Sequence, residues 1–216
     1  MAQAASTEAV PGPTVLVPIG ADWKYLDDGL NQALDWRAPG CDEGAWAEGP
    51  AELGYGDADE ATVVGYGSDK QNKFATTYFR QAFIVDNASA VAKFLVRFVR
   101  DDGAVVYLNG VEICCSNMAD GDVLYDDFTI APVSGDDETA SVSGFFIENH
   151  LTDGLDVLAV KIHQADGPSS DLSFDLELLA VFEPGPPAVA IIEPADGESL
   201  VVVNIVSAVS AAWTRL

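Results

Sequence analysis

The residues best able to do chemistry sit in short polar clusters at turns. One is Arg100-Asp101-Asp102, at the end of an alternating apolar run; another is His163-Gln164, followed closely by Ser170-Asp171. Guanidinium, carboxylate, amide and imidazole groups are the planar hydrogen-bonding types that recognise sugar hydroxyls. Loops held on a rigid sheet are where such groups gather into binding sites. A sugar also needs an apolar platform for its C–H face, and Trp23, Tyr25, Trp36, Trp46, Tyr55, Tyr66, Tyr78 and Tyr107 are available. Most aromatic residues of a β-sandwich serve as core. The polar set Arg100, Asp101, Asp102, His163, Gln164, Ser170 and Asp171 therefore carries the expectation of a ligand site.

Two acidic loops suit a hard cation. They are Gly56-Asp57-Ala58-Asp59-Glu60 and Gly135-Asp136-Asp137-Glu138. Carboxylates at i and i+2 can converge on one Ca²⁺ when a turn folds them inward, so Asp57, Asp59 and Glu60 are the expected metal ligands. Neither loop has EF-hand spacing, and the alternative for both is a solvated acidic turn.

Catalytic signatures are missing from the sequence: no GxSxG, no HExxH, no P-loop and no GxGxxG opening a helix. The two histidines are His150 and His163. A triad of Ser170, His163 and Asp171 can be drawn, but nothing supplies a strained elbow or oxyanion donors. Metal-assisted hydrolysis is the stronger catalytic alternative. His163 and Asp171, with Asp175 and Asp101-Asp102 near, could hold an ion that activates water on a phosphoester. Alternation places His163 off the Leu158–Val160–Ile162 face, so its side chain is expected to be dispensable for folding.

Composition narrows the partners. Ten Lys+Arg against 35 Asp+Glu give a formal charge of −25, which repels nucleic-acid phosphates and anionic membrane surfaces alike. Hydrophobic residues make up 49% of the chain, enough for a sizeable core. The three cysteines, Cys41, Cys114 and Cys115, are an odd count with an adjacent pair, and read as small apolar residues rather than a disulfide framework. No basic start and apolar stretch marks a signal peptide. The small polar opening instead resembles a mature secreted N-terminus, and an extracellular location is expected.

These groups must be positioned by short strands. Residues 1–13 read as a leader. From residue 14 to 183 short β-like runs alternate with Gly, Asp and Asn turns. Phe79, Phe83 and Val85 share one face; Phe94, Val96 and Phe98 alternate with Lys93 and Arg97. Asp101-Asp102-Gly103 predicts a tight turn, Asn109-Gly110 a hairpin, and Ala165–Ser170 a turn joining two final strands, which would form one further hairpin. Single helical turns are expected near Asp42–Trp46 or Asn149–Asp153. Residues 184–187 form a Pro-rich linker, and 188–216 read as the start of a following domain. Its apolar run at Leu200–Val203 invites strand pairing, hence self-association into a homo-oligomer. Many short strands between turns specify an all-β class, a sandwich of antiparallel strands.

Three stretches resemble one family. They are Trp23–Gly29 with Trp36–Gly40 and Ala45-Trp46; Arg100–Gly110; and Asp156–Gln164 followed by Ser169–Asp175. Together they are similar to the galactose-binding-like jelly-roll modules of bacterial secreted multidomain proteins and the sugar-binding domains of some glycosidases. The likeness covers roughly residues 20–182; Cys41 departs from it, as an aromatic is more usual there. It implies a jelly-roll β-sandwich, a non-catalytic accessory role, a glycan partner and, in some members, structural Ca²⁺. The phosphoester hydrolase and a purely structural or oligomerisation module remain the alternatives.

Overall fold

The structure, a computed structural model, describes residues 12–146 and 149–182. The described residues fall within one compact unit, Gly12–Glu183. The readings made for the leader up to Pro11, the linker 184–187 and the segment 188–216 lie outside the described residues. No helix among the described residues is long and apolar enough to cross a membrane.

Twelve strands occur among these residues. They are β1 (Thr14–Val17), β2 (Asp22–Leu26), β3 (Ala47–Pro50), β4 (Leu53–Tyr55), β5 (Thr62–Val63) and β6 (Thr76–Val85). Then come β7 (Val91–Asp101), β8 (Gly103–Leu108), β9 (Val111–Ser116), β10 (Val142–Phe146), β11 (Gly154–His163) and β12 (Leu172–Phe182). The first sheet runs β10-β7-β12-β4-β5 with β1 also paired to β12; the second runs β3-β2-β6-β11-β8-β9. Every pairing is antiparallel except β4 with β5. This is an all-β sandwich of jelly-roll type. Its helical content is single 3₁₀ turns at Leu34–Arg37, Ala88–Ala90 and Gly135–Asp137, not the two segments expected from sequence.

Period-2 alternation builds the core. Phe94, Val96 and Phe98 of β7 and Leu172, Phe174, Leu176 and Leu178 of β12 meet Phe79 and Phe83 of β6 and Leu158, Val160 and Ile162 of β11. Phe174 locks the two sheets together. Its ring lies 4.5 Å from Phe79 and 4.9 Å, edge-on, from Trp23.

Two sequence expectations about turns need correction. Asn109-Gly110 does form the β8–β9 hairpin, with both residues at positive φ as such a turn requires. Asp101–Gly103, however, carries the chain from β7 in the first sheet to β8 in the second. The segment after His163 likewise leaves β11 in the second sheet and enters β12 in the first, so these strands form no hairpin. Both crossings therefore join the same two sheets, and both lie beside Asp102, whose amide donates to the His163 carbonyl.

The second sheet is covered on its outer face as well. Trp36, Tyr78, Val105, Tyr107, Met118 and Ala159 form a second apolar cluster, with Leu26, Cys41, Trp46, Val123 and Tyr125 packed on it. Arg80 is buried there, donating to the Trp36 carbonyl and, at 2.7 Å, to Glu43.

Candidate ligand site at the sheet crossings

Asp102 stitches the two crossings into one platform. Its Oδ1 accepts from the Val133 amide at 2.7 Å; Oδ2 accepts from the Ala165 amide at 2.7 Å and the Ser169 hydroxyl at 3.2 Å. Its own carbonyl accepts from Asn117 Nδ2. With its carboxylate fully engaged in the fold, Asp102 is a positioning group and offers no free oxygen to a sugar.

Most of the expected polar set is likewise interior. Asp101, Asp102, His163 and Gln164 are all buried, which corrects the expectation of an open polar rim. The reason is the second covering layer: alternation does send His163 away from the inner face, but the outer face is roofed by the loop after β9. His163 Nδ1 donates to the Asp127 carbonyl at 2.8 Å and lies 3.1 Å from Thr76 Oγ1, whose hydroxyl donates to the Tyr125 carbonyl. Burial, with the nearby Lys161 charge, pushes the His163 pKa down to about 4. The imidazole is thus a neutral group packed in the interior. Arg100 is half-buried, with Nε on the Ser116 hydroxyl at 3.2 Å. Ser170 stays exposed and donates to Asp171 Oδ1 at 2.9 Å.

The acidic loops behave differently. Asp57, Glu138 and Asp171 present carboxylate oxygens within 4.8 Å of one another, as do Asp57, Asp59 and Glu60. The two loops noted separately in the sequence are thus joined through Asp57, and His163 belongs to neither group. Gly56, at φ +121°, lets the β4–β5 loop turn against Asp171; a Cβ there would sit 2.6 Å from the Asp171 Cβ. Burial and the Asp171, Asp59 and Glu138 charges raise the Asp57 pKa.

Buried polar atoms without a hydrogen-bond partner gather at the crossings: both Asp101 carboxyl oxygens, both amide atoms of Gln164, and His163 Nε2. Asp101 pairs with Ser173 across the β7–β12 ladder. Burial and the Asp102 and Asp171 carboxyls beside it push its pKa up to about 9. Sequence reasoning did not single out Ser173, whose hydroxyl lies 3.4 Å from Asp57 Oδ2, or Glu52, whose pKa burial raises. The alternation of Ser173 and Asp175 with Leu172 and Phe174 was the available signal.

Beside the carboxylates opens a cleft of about 430 Å³ lined by Tyr55, Gly56, Tyr66, Lys70, Lys73, Pro168 and Ser170. The Tyr55 and Tyr66 rings lie 4.9 Å apart, and Lys73 Nζ sits 4.9 and 5.1 Å from their centroids. Lys73 also donates to the Ser169 and Ser170 carbonyls, tying the β11–β12 crossing to the cleft floor. Tyr55 is buried, while Tyr66 is half-buried and packs against the core. Of the eight aromatic residues noted in the sequence, Trp23, Trp36, Tyr55, Tyr78 and Tyr107 are buried core.

No protein-family model matches this chain, and no curated protein sequence does. Solved structures match its fold. One is Bacteroides uniformis beta-glucuronidase 2 covalently bound to cyclophellitol-6-carboxylate aziridine, with a TM-score of 0.51 and 16% identity. Another is Bacteroides uniformis beta-glucuronidase, with a TM-score of 0.50 and 15% identity. In both, the match covers 78% of this chain and 18% of the other, so the chain spans under a fifth of their length. At that identity the likeness is one of fold. It agrees with the galactose-binding-like β-sandwich to which the sequence motifs are similar.

Proposed function

We propose that this chain is a non-catalytic accessory module that binds carbohydrate, taking part of an extracellular or cell-wall polysaccharide in the cleft beside Tyr66. The observation that carries the reading is the cleft itself. A half-buried tyrosine ring is backed by Tyr55 and flanked by Lys70 and Ser170, with the Asp171 carboxylate adjoining. An aromatic face for C–H groups, with donors and acceptors at its rim, is the chemistry a sugar ring needs. The occurrence of this fold in beta-glucuronidases supports the same substrate class. The phosphoester alternative loses its centre, because His163 is buried and apart from the carboxylate groups that could share an ion.

The test is a polysaccharide and glycan-array screen, followed by calorimetric titration of the retained ligand. Tyr66→Ala and Ser170→Ala should each weaken binding, Tyr66→Ala by tenfold or more, while the melting temperature of Ser170→Ala stays that of the parent. Absence of any retained glycan, or unchanged affinity in both variants, overturns the reading.

A further inference from the structure

Cations are scarce in this chain, ten Lys+Arg against 35 Asp+Glu, so a place where two of them meet is informative. Lys70 and Lys73 both line the cleft beside Tyr66. The turn that carries them is held by its own backbone and by the crossing between β11 and β12. The Gln71 amide donates to Asp69 Oδ1 at 2.9 Å, and the Asn72 amide to the Asp69 carbonyl at 3.1 Å. The Lys73 amide donates to the Gly167 carbonyl at 2.9 Å. Both lysines therefore stand on a fixed backbone beside Pro168 and Ser170.

Their partners set them apart from other cations of the fold. Lys24, Arg80 and Arg97 each pair with a glutamate. No described carboxylate forms an ion pair with either cleft lysine. Lys70 is exposed and makes no hydrogen bond among the described residues. Lys73 commits two of its three N–H groups to the Ser169 and Ser170 carbonyls, which are neutral acceptors, and keeps one. Those bonds and the Tyr55 and Tyr66 rings fix its ammonium in place. Burial lowers the Lys73 pKa, while the Asp171 charge raises it and the Lys70 charge lowers it. The two ammonium groups thus feel each other across the cleft wall.

We propose that the glycan taken by this cleft is acidic, with a carboxylate or sulfate on the sugar ring seated against Lys70 and Lys73. The inference rests on the carbohydrate reading and narrows it to one substrate class. Two like charges in each other's field are both relieved by one anion in contact with them. Tyr66 supplies the face for the ring's C–H groups. Asp171, whose Oδ1 accepts from Ser170, repels an anion on its own side and leaves that side to neutral hydroxyls, so the sugar is held in one orientation. The formal charge of −25 opposes an anionic polymer at long range. At physiological salt that repulsion is screened beyond about 8 Å, whereas direct contact with the lysines is not.

The test compares matched glycans by calorimetric titration of the full chain: polygalacturonate against its carboxyl-reduced form, and a sulfated galactan against its desulfated form. In at least one pair the acidic member should bind about tenfold more tightly than the neutral one, the scale of a hydrogen bond to a charged group. The pair that shows the preference tells carboxylate from sulfate. Lys70→Gln should reduce the ratio to about twofold or less, and Lys70→Arg should keep it. Because Lys70 bonds to nothing in the fold, the melting temperature of Lys70→Gln should match the parent's. Tyr66→Ala should weaken both members of a pair together and leave their ratio in place. Neutral binding without an acidic preference, or a preference that survives in Lys70→Gln, overturns this inference and leaves the carbohydrate reading standing. Binding of neither member of either pair overturns both.

Discussion

Acid should destabilise this protein through one imidazole. His163 is fully buried, and its surroundings are Thr76, the Asp127 and Tyr125 carbonyls and the Lys161 charge. Burial and the Lys161 charge oppose a second proton on the ring more strongly than Asp127 favours it. Its pKa falls to about 4 from an ordinary 6.5, so between those values the unfolded chain binds a proton that the folded one refuses. Stability is therefore retained above pH 6.5 and lost as pH falls toward 4. Linkage over that interval gives a loss of about 2.5 kcal/mol between pH 7 and pH 4.5, or about 5–10 °C in melting temperature. Carboxylates also titrate in this range, so the informative quantity is the difference between the parent and His163→Asn. Asparagine keeps a donor near Nδ1, facing Asp127, and does not titrate. Urea unfolding at pH 7 and 4.5 should show the parent losing about 2.5 kcal/mol more than the variant. Parallel pH profiles would refute the placement of His163 as a buried neutral group.

Asp102→Ala strips acceptors from the Val133 and Ala165 amides and from Ser169, and should cost about 2–4 kcal/mol in urea unfolding; a change under 0.5 kcal/mol, within the usual range for surface substitutions, would contradict its role as the staple. Gly54→Ala places a Cβ 1.9 Å from the Leu172 carbonyl oxygen, so β4 should separate from β12 and its amides at Leu53–Tyr55 should exchange faster with deuterium. Unaltered protection there would count against the register. Arg80→Met leaves the Trp36 carbonyl unpartnered and should lower stability by about 3 kcal/mol at neutral pH, with Glu43→Gln costing less because Glu43 is partly solvated. Equal effects of the two substitutions would argue that the ion pair, not the burial of the guanidinium, is what matters.

Strand identity was legible because alternation is a local property. Phe94-Val96-Phe98 and Leu172-Phe174-Leu176 point where their period sends them, and Asn109-Gly110 turns as its positive φ preference demands. The crossings were not legible. Asp-Asp-Gly announces that the chain must bend, but which sheet receives the next strand depends on pairings made far away in sequence. The same gap explains the site. Asp57 and Glu138 were each readable as members of acidic loops, yet only the sandwich topology brings them together. The burial of His163 was hidden for a different reason. The residues that roof it, around Tyr125 and Asp127, follow no period at all.

The outer covering of the second sheet has a consequence for how the molecule comes apart. That sheet is already satisfied on its inner face, so the layer over Trp36, Tyr78 and Tyr107 can lift while the sandwich between the sheets stays closed. Two tiers of opening follow, a cheaper one confined to the cover and a dearer one that is global. Amides bonded within the cover, such as Thr129 to the Gln164 carbonyl and Ile130 to that of Asn117, belong to the first tier; those of the β6–β11 ladder belong to the second. Because His163 lies beneath the cover, lifting the cover opens the ring to a proton, and acid favours the lifted state. Mild acid should then expose Tyr78 and Tyr107 to solvent and to proteases well before the strands themselves unpair.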